Sequence, residues 1–311
     1  MTAQSPLVSV IVPVYQNAAS LPLLAGRIDA VEQRLLADGV RIELVFVDDG
    51  STDGSGAGLD AIKLRRPGTK IVRLTRNFGA VHASRTGMSF VDGDAFVVLA
   101  ADLQDPPELL VEMVARWRKG SRFVIAVRSS RDDPWASRLA SRLYYVVLRA
   151  LVLPGYPEGG FDMALMDRQL LPPMRDASKN AFTPLLAYWL GFKPDLVRYH
   201  RPAREFGRSG WSFRKKTKAF LDVMLGFSVT PIRMISAVGA TVASASFAYG
   251  TLVGIGALMG RIQVSGFATI AILLTFLLGL VIVMLGVIGE YLWRIFDEIN
   301  RRPEAVVDRV D

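Results

Sequence analysis

Five short apolar runs open the chain, at Val8–Val14, Ile42–Val47, Lys70–Leu74, Ala95–Ala101 and Arg122–Val127, each rich in Val, Ile or Phe. The segments between them contain polar stretches long enough for helices. Near-continuous apolar strands separated by helices predict a mostly parallel sheet covered on both faces, an α/β class. Such sheets bind ligands outside the carboxyl ends of their strands. The residues just past these runs are Tyr15, Asp48, Asp49, Asp102 and Arg128, and four of the five are charged.

The pattern changes in the last third. Met234–Gly260 carries no charged residue, and neither does Ile262–Gly289. Each run exceeds the roughly 20 apolar residues that span a bilayer, so two transmembrane helices are expected at about 234–260 and 265–293. Arg208, Arg214, Lys215, Lys216, Lys218 and Arg233 precede the pair, Arg294, Arg301 and Arg302 follow it, and only Arg261 lies between. By the positive-inside rule this is a hairpin with both ends cytosolic. Ahead of it, Trp211–Phe227 interleaves basic residues with Trp211, Phe213, Phe220, Leu221, Met224 and Phe227. That mixture suits an amphipathic helix in the headgroup layer, or one packed on the soluble part. The expected division is therefore a catalytic domain at 1–203, a basic interfacial segment at 204–233, a hairpin at 234–294 and a tail at 295–311.

Composition narrows the chemistry. The 311 residues are 51% hydrophobic, an excess that belongs to the hairpin, and contain no cysteine, which excludes disulfides, thiolate metal sites and thiol nucleophiles. A formal charge of +8 suits an anionic partner: phosphate, nucleic acid or a lipid surface. Met1–Ser9 lacks the basic and apolar regions of a signal peptide, so the front of the chain is expected in the cytosol.

Val47-Asp48-Asp49-Gly50-Ser51 places carboxylates just past a strand, where they can accept hydrogen bonds from a uracil or ribose while Tyr15 covers a base. Alone, the same residues are an ordinary turn signal. After the fourth run, Asp102 and Gln104 alternate, so an extended segment points both the same way. Two oxygen ligands plus a diphosphate suit Mg²⁺ or Mn²⁺. Asp105-Pro106-Pro107-Glu108 reads as the cap of the next helix. Arg128, Arg131 and Arg138 form a cluster whose guanidinium forks match phosphate oxygens, although each alone is an ordinary solvated charge. Arg204 and Arg208, with Lys215 beyond them, are placed for a lipid phosphate or headgroups. His82 and His200 lack metal-ligand spacing and read as structural.

Together, Val12-Pro13-Val14-Tyr15, Val47-Asp48-Asp49-Gly50-Ser51, Arg76-Asn77-Phe78-Gly79 and Asp102-Leu103-Gln104-Asp105-Pro106-Pro107 resemble the family 2 glycosyltransferases. More narrowly, Arg204–Phe213 before the hairpin and Gly289–Phe296 closing it resemble the polyprenyl-phosphate sugar transferases, such as bactoprenol glucosyltransferases, the undecaprenyl-phosphate aminoarabinose transferase and dolichol-phosphate mannose synthase. The likeness covers nearly the whole chain. It implies a GT-A fold, a divalent metal and an inverting transfer from a UDP- or GDP-sugar to undecaprenyl or dolichyl phosphate. It implies a catalytic domain on the cytosolic face of the inner membrane, no nucleic-acid partner, and leaves a homo-oligomer open. By position, the resemblance puts Pro13, Tyr15, Asn17, Asp48, Asp49 and Asp102 at the nucleotide and Asp102 with Gln104 at the metal. Arg128 and Arg131, with Arg138, fall at the phosphates of donor and acceptor. Phe161-Asp162-Met163-Ala164-Leu165-Met166-Asp167-Arg168 matches the segment that carries the proposed catalytic aspartate, which is Asp162. A phosphate monoester has a second pKa of about 6, so Asp162 is expected to orient a sugar hydroxyl or a metal-bound water rather than deprotonate the acceptor. Two departures stand out: Gln16-Asn17 replaces the usual Asn-Glu, and Ala100 replaces the first Asp of Asp-x-Asp. They leave room for a nucleotide-sugar-binding membrane protein without turnover. A processive polysaccharide synthase needs more helices and a Gln-x-x-Arg-Trp type motif, and the sequence has neither.

Overall fold

The computed structural model describes residues 5–130, 145–150, 152–157, 160–178, 183–200, 223–224, 226–228, 230–259, 266–300 and 302–311. They fall into two compact units, Met1–Asp222 with Pro303–Asp311, and Val223–Arg302.

Among the described residues, the first unit is built on eight strands: β1 (Leu7–Val14), β2 (Arg41–Asp48), β3 (Lys70–Leu74), β4 (Ala95–Val98), β5 (Phe123–Ser130), β6 (Phe161–Asp167), β7 (Asp195–His200) and β8 (Val307–Val310). Their order in the sheet is β7-β5-β6-β4-β1-β2-β3-β8. β1 pairs parallel with β2 and β4, β2 parallel with β3, and β5 parallel with β7. β6 runs antiparallel between β4 and β5, and β8 antiparallel on β3. The five expected strands are all present. The fourth is shorter than its apolar run, however, ending at Val98, and the fifth continues to Ser130 so that Arg128 lies inside it.

Helices cover the sheet because their apolar positions recur at helical spacing. α1 (Leu21–Ala37) buries Leu21, Leu24, Ala25, Ile28, Val31 and Leu35, one stripe of a 3.6-residue period. α2 is Ser55–Arg65, α3 Ala80–Met88 and α4 Leu109–Arg118, the last burying Leu110, Met113 and Val114. Two short helices, α5 (Leu171–Arg175) and α6 (Thr183–Trp189), follow β6. Val10, Ile11, Val12, Val45, Phe46 and Val47 are fully buried, as strands covered on both faces require.

The second unit consists chiefly of α7 (Thr230–Leu258) and α8 (Phe267–Ile299). Within them, Ile232–Val253 and Phe276–Ile299 are long and apolar enough to cross a membrane. Phe247, Leu252, Ile282 and Leu285 are all more than half exposed, an apolar surface that suits a lipid environment. Ser236, Thr241 and Thr251 return their hydroxyls to the carbonyl one turn back, which satisfies these polar groups without water. Tyr291 Oη donates to Ser228 O at 3.3 Å, tying the far end of α8 to the residues just before α7. The sequence expectation ended the second span near 293; the helix continues to Ile299. The segment expected as an interfacial helix, 204–222, lies outside the described residues.

Candidate active site

The sheet order reverses direction at β1, with β4 on one side and β2 on the other. A crevice at the carboxyl edge of such a switch point is where a doubly wound sheet takes its ligand. The loops leaving β1 and β4 meet there, held by Ser20 Oγ donating to Ala101 O at 2.7 Å in a buried bond.

The β1 loop carries Pro13, half-buried, and Tyr15, which is 47% exposed and available as a platform. Its turn is made by side chains acting on backbone. Tyr15 N donates to Asn17 Oδ1 at 2.9 Å, Gln16 N to Ser51 Oγ at 3.2 Å and Gln16 Nε2 to Thr52 Oγ1 at 2.8 Å. Gln16 takes φ +57, a left-handed value that these bonds stabilise. Asn17 N reaches Ser55 Oγ at 2.9 Å, and Ala18 N reaches Asp53 Oδ2 at 3.1 Å. Burial pushes the Asp53 carboxyl up, but the bonds from Ser55 and Ala18 pull it down further and leave it below its ordinary value. The Gln16-Asn17 departure is thus absorbed into the loop: the Gln16 side chain braces it against Thr52 in the loop after β2, and the Asn17 side chain closes the turn on Tyr15 N.

The twin carboxylates divide their work. Asp48, the last residue of β2 and 6% exposed, accepts from Ser51 N at 3.0 Å through Oδ1 and faces Arg73 Nη1 at 3.6 Å with Oδ2. Asp49, 1% exposed, turns the other way and accepts from Phe78 N at 2.7 Å and Gly79 N at 2.8 Å, one oxygen to each amide at the start of α3. Burial raises its carboxyl above the ordinary range, and the two amides with nearby His82 only partly offset that. Gly50 between this loop and the next has φ +70, and a Cβ there would stand 2.6 Å from Arg76 C. Only glycine fits. Arg76 in turn lies over the Phe78 ring at 4.2 Å.

Past β4, the chain does not stay extended as the sequence pattern predicts: Leu103 takes φ +61 and makes a turn. Burial still alternates. Ala101, Leu103 and Asp105 are buried, while Asp102 and Gln104 are partly open and adjacent, with Gln104 N donating to Asp102 Oδ1 at 3.2 Å. Asp105 is not the cap of α4. That helix starts at Leu109, and the carboxylate at its cap position, Glu108, makes no capping bond but accepts from Arg27 Nε at 2.9 Å and Nη2 at 2.6 Å. Asp105 is 3% exposed and accepts from Tyr199 Oη at 2.6 Å, since an inward carboxylate needs a donor more than a helix end does. Tyr199, on β7, sits in register with Arg128 on β5 and is also hydrogen-bonded by it. Burial first, and then the Asp105 carboxylate, push the Tyr199 phenol up, which keeps it a neutral donor. This Asp105–Tyr199–Arg128 chain is the feature that sequence reasoning missed, because β7 gave no apolar run to announce it.

β6 runs against β4, pairing Asp167 with Ala95, so its first residues reach the carboxyl edge of β4. Asp162 is the second residue of β6, next to the register shift at Ala126/Val127 of β5, one residue before Arg128. The strand is aimed by Gly160, at φ +62, where a Cβ would stand 2.1 Å from Tyr145 Oη. Phe161 packs in a wall of rings with Phe123, Tyr156 and Tyr188, centroids 5.4 to 6.1 Å apart. The backbone therefore brings the Asp48, Asp102, Arg128 and Asp162 positions to one edge of the sheet. Arg131, Arg138, Arg204, Arg208 and Lys215 lie outside the described residues.

Among the described residues, no group of three or more acidic or histidine side chains could hold a metal unaided. Asp102 and Gln104 still fit a hard divalent ion that takes its remaining ligands from a diphosphate and water.

Comparison with known proteins bears on this site. The model of the family described as glycosyl transferase family 2 matches residues 9–172. The undecaprenyl-phosphate 4-deoxy-4-formamido-L-arabinose transferase of Enterobacter sp. (strain 638) is 34% identical over 310 residues, covering 97% of this chain and 93% of the relative. The prophage bactoprenol glucosyl transferase homolog of Escherichia coli (strain K12) is 28% identical over 305 residues, covering 97% and 99%. Among solved structures, mannosyl-3-phosphoglycerate synthase from Rubrobacter xylanophilus superposes with a TM-score of 0.50 at 18% identity, covering 76% of this chain and 75% of that one, a likeness of fold.

Proposed function

We propose, from the premise that this chain belongs to glycosyl transferase family 2, that it moves a sugar from a nucleotide-sugar onto a polyprenyl phosphate at the cytosolic face of the inner membrane. That it is a glycosyltransferase follows from the family. The choice of acceptor rests on one observation above all: the same chain carries a carboxyl-edge site and two bilayer-length helices, and relatives matched over nearly its full length are named for bactoprenol and undecaprenyl phosphate.

In this reading, Tyr15, Pro13 and Asp48 receive the base and ribose of a UDP- or GDP-sugar, and Asn17 and Asp49 hold the loops that shape that pocket. Asp102 and Gln104 hold Mg²⁺ or Mn²⁺, which when bound offsets the charge of the departing diphosphate. Arg128 and Arg131 grip phosphate oxygens with bidentate forks. Asp162 orients a sugar hydroxyl rather than removing a proton, because the acceptor phosphate is largely dianionic at cytosolic pH. Arg138, Arg204, Arg208 and Lys215 meet the lipid phosphate and headgroups. The acceptor oxygen attacks the anomeric carbon from the face opposite the leaving diphosphate, which inverts the centre. Positioning and fixed charge supply most of the acceleration. The domain limits 1–203, 204–233, 234–294 and 295–311 remain the proposed division of labour, with both termini cytosolic.

The test is a panel of radiolabelled UDP- and GDP-sugars incubated with membranes containing the protein and undecaprenyl phosphate. One donor should label the organic-extractable lipid in a divalent-metal-dependent manner. No labelled lipid from any donor would count against the acceptor assignment.

A further inference from the structure

β8 has little apolar reason to occupy its place. All four residues are exposed, so the strand buries almost nothing of its own. It is held by the ladder to β3, where Ile71 N donates to Asp311 O at 3.1 Å, Asp311 N to Ile71 O at 2.8 Å and Thr75 N to Val306 O at 3.0 Å. Glu304, just ahead of the strand, adds an anchor on α3: it meets Arg85 Nη2 at 3.0 Å and lies 3.7 Å from His82 Nδ1.

The side chain at the other end of this strand touches the donor pocket through one intermediary. Arg73, whose side chain is 13% exposed, faces three carboxylates. Its Nε donates to Asp311 Oδ2 at 2.9 Å, and its Nη2 bonds Asp60. Its Nη1 stands 3.6 Å from Asp48 Oδ2, too far for a hydrogen bond. The other oxygen of Asp48 already accepts from Ser51 N. Oδ2 is therefore the oxygen with capacity left, and the one Arg73 would occupy if it came closer.

We infer that the C-terminal strand sets the donor site: Asp311, together with Asp60, holds the Arg73 guanidinium back from Asp48 and so keeps Asp48 Oδ2 available to a nucleotide. The inference rests on the reading of Asp48 as a nucleotide ligand. Neutralising either restraining carboxylate lets Arg73 close on Asp48 and compete for the same oxygen. A pocket thus depends on a strand that returns to the sheet only after both apolar helices have been made.

The experiment is calorimetric titration of the full-length protein in detergent with UDP and with GDP, well below the unfolding midpoint of every variant. Asp311→Asn and Asp60→Asn should each weaken the nucleotide that binds by about two- to five-fold, the range of a partly exposed ion pair, and the double variant by more. Asp92→Asn is the control, since Asp92 is bridged to Lys70 rather than Arg73. It should bind as wild type. Unchanged affinity in both Arg73-facing variants, or an equal loss in the control, overturns the inference alone. Wild-type protein that binds neither nucleotide overturns the donor reading and the inference with it.

Discussion

The two halves of the sheet are held together by different physics. In the half formed by β1, β2 and β3, each loop carboxylate is bonded to backbone amides: Asp48 to Ser51, Asp49 to Phe78 and Gly79, and Asp53 to Ala18 and Ser55. In the half formed by β5, β6 and β7, the described residues pack by rings, Phe123, Tyr156, Phe161 and Tyr188, and one buried Asp105–Tyr199 bond links them back to the β4 loop. A lattice of directional bonds fixes atoms closely, which is what the proposed function asks of a half that reads the fixed donors and acceptors of a nucleotide. Packed rings instead set the spacing of strands, which suits a half that has only to place a few charges. The difference predicts that polar substitutions in the first half change donor affinity and folding, while those in the second change turnover.

The largest effect should come at the junction. Asp102→Asn removes a charge without changing volume, and transfer should fall by on the order of 10²–10³-fold with the fold retained, as when one electrostatic contact to the reacting charge is lost. Undiminished activity in excess chelator would remove Asp102 and Gln104 from the metal. Asp162→Asn should lower turnover by about 10²-fold, by the same factor at every pH above roughly 6, where the acceptor is already ionised. A pH–rate profile at saturating lipid checks this, and a defect that shrinks toward high pH would restore a general base. Tyr199→Phe removes the hydroxyl that donates to Asp105 and is hydrogen-bonded by Arg128. Turnover should drop about ten-fold while the KM for the donor holds, because the loss of one buried bond is worth roughly 1–3 kcal/mol. A change confined to donor KM would place Tyr199 in the other half. Asp49→Ala should act on folding more than on chemistry, costing about 1–3 kcal/mol by stranding two part-buried amides. Thermal unfolding reads it, and an unchanged midpoint would mean that the amides find other partners.

How much of this was legible in the sequence follows the same division. β1 to β5 announced themselves because strands buried on both faces must be apolar along their length, and Val10, Ile11, Val45 and Phe46 are. β7 did not, since Asp195, Arg198 and His200 interrupt it and only Val197 and Tyr199 turn inward. β8 is four exposed residues whose reason lies across the ladder on β3, and no local pattern could reveal it. The Asp48-Asp49 pair was legible as two carboxylates just past β2, but not which of them would face Arg73 and which would clamp α3. That choice is made by Phe78 and Gly79, far along the chain. Asp105 looked like a helix cap because Pro106 and Pro107 follow it, and tertiary burial beside Tyr199 overrode the local signal.

The central claim is the acceptor, and the mass of the lipid product tests it most directly. The purified protein in nanodiscs with undecaprenyl phosphate, a divalent metal and the donor it accepts should yield undecaprenyl phosphate bearing a single sugar, and the Asp102→Asn protein should yield almost none. A lipid carrying a growing chain of sugars, or sugar released without any lipid product, would contradict the account.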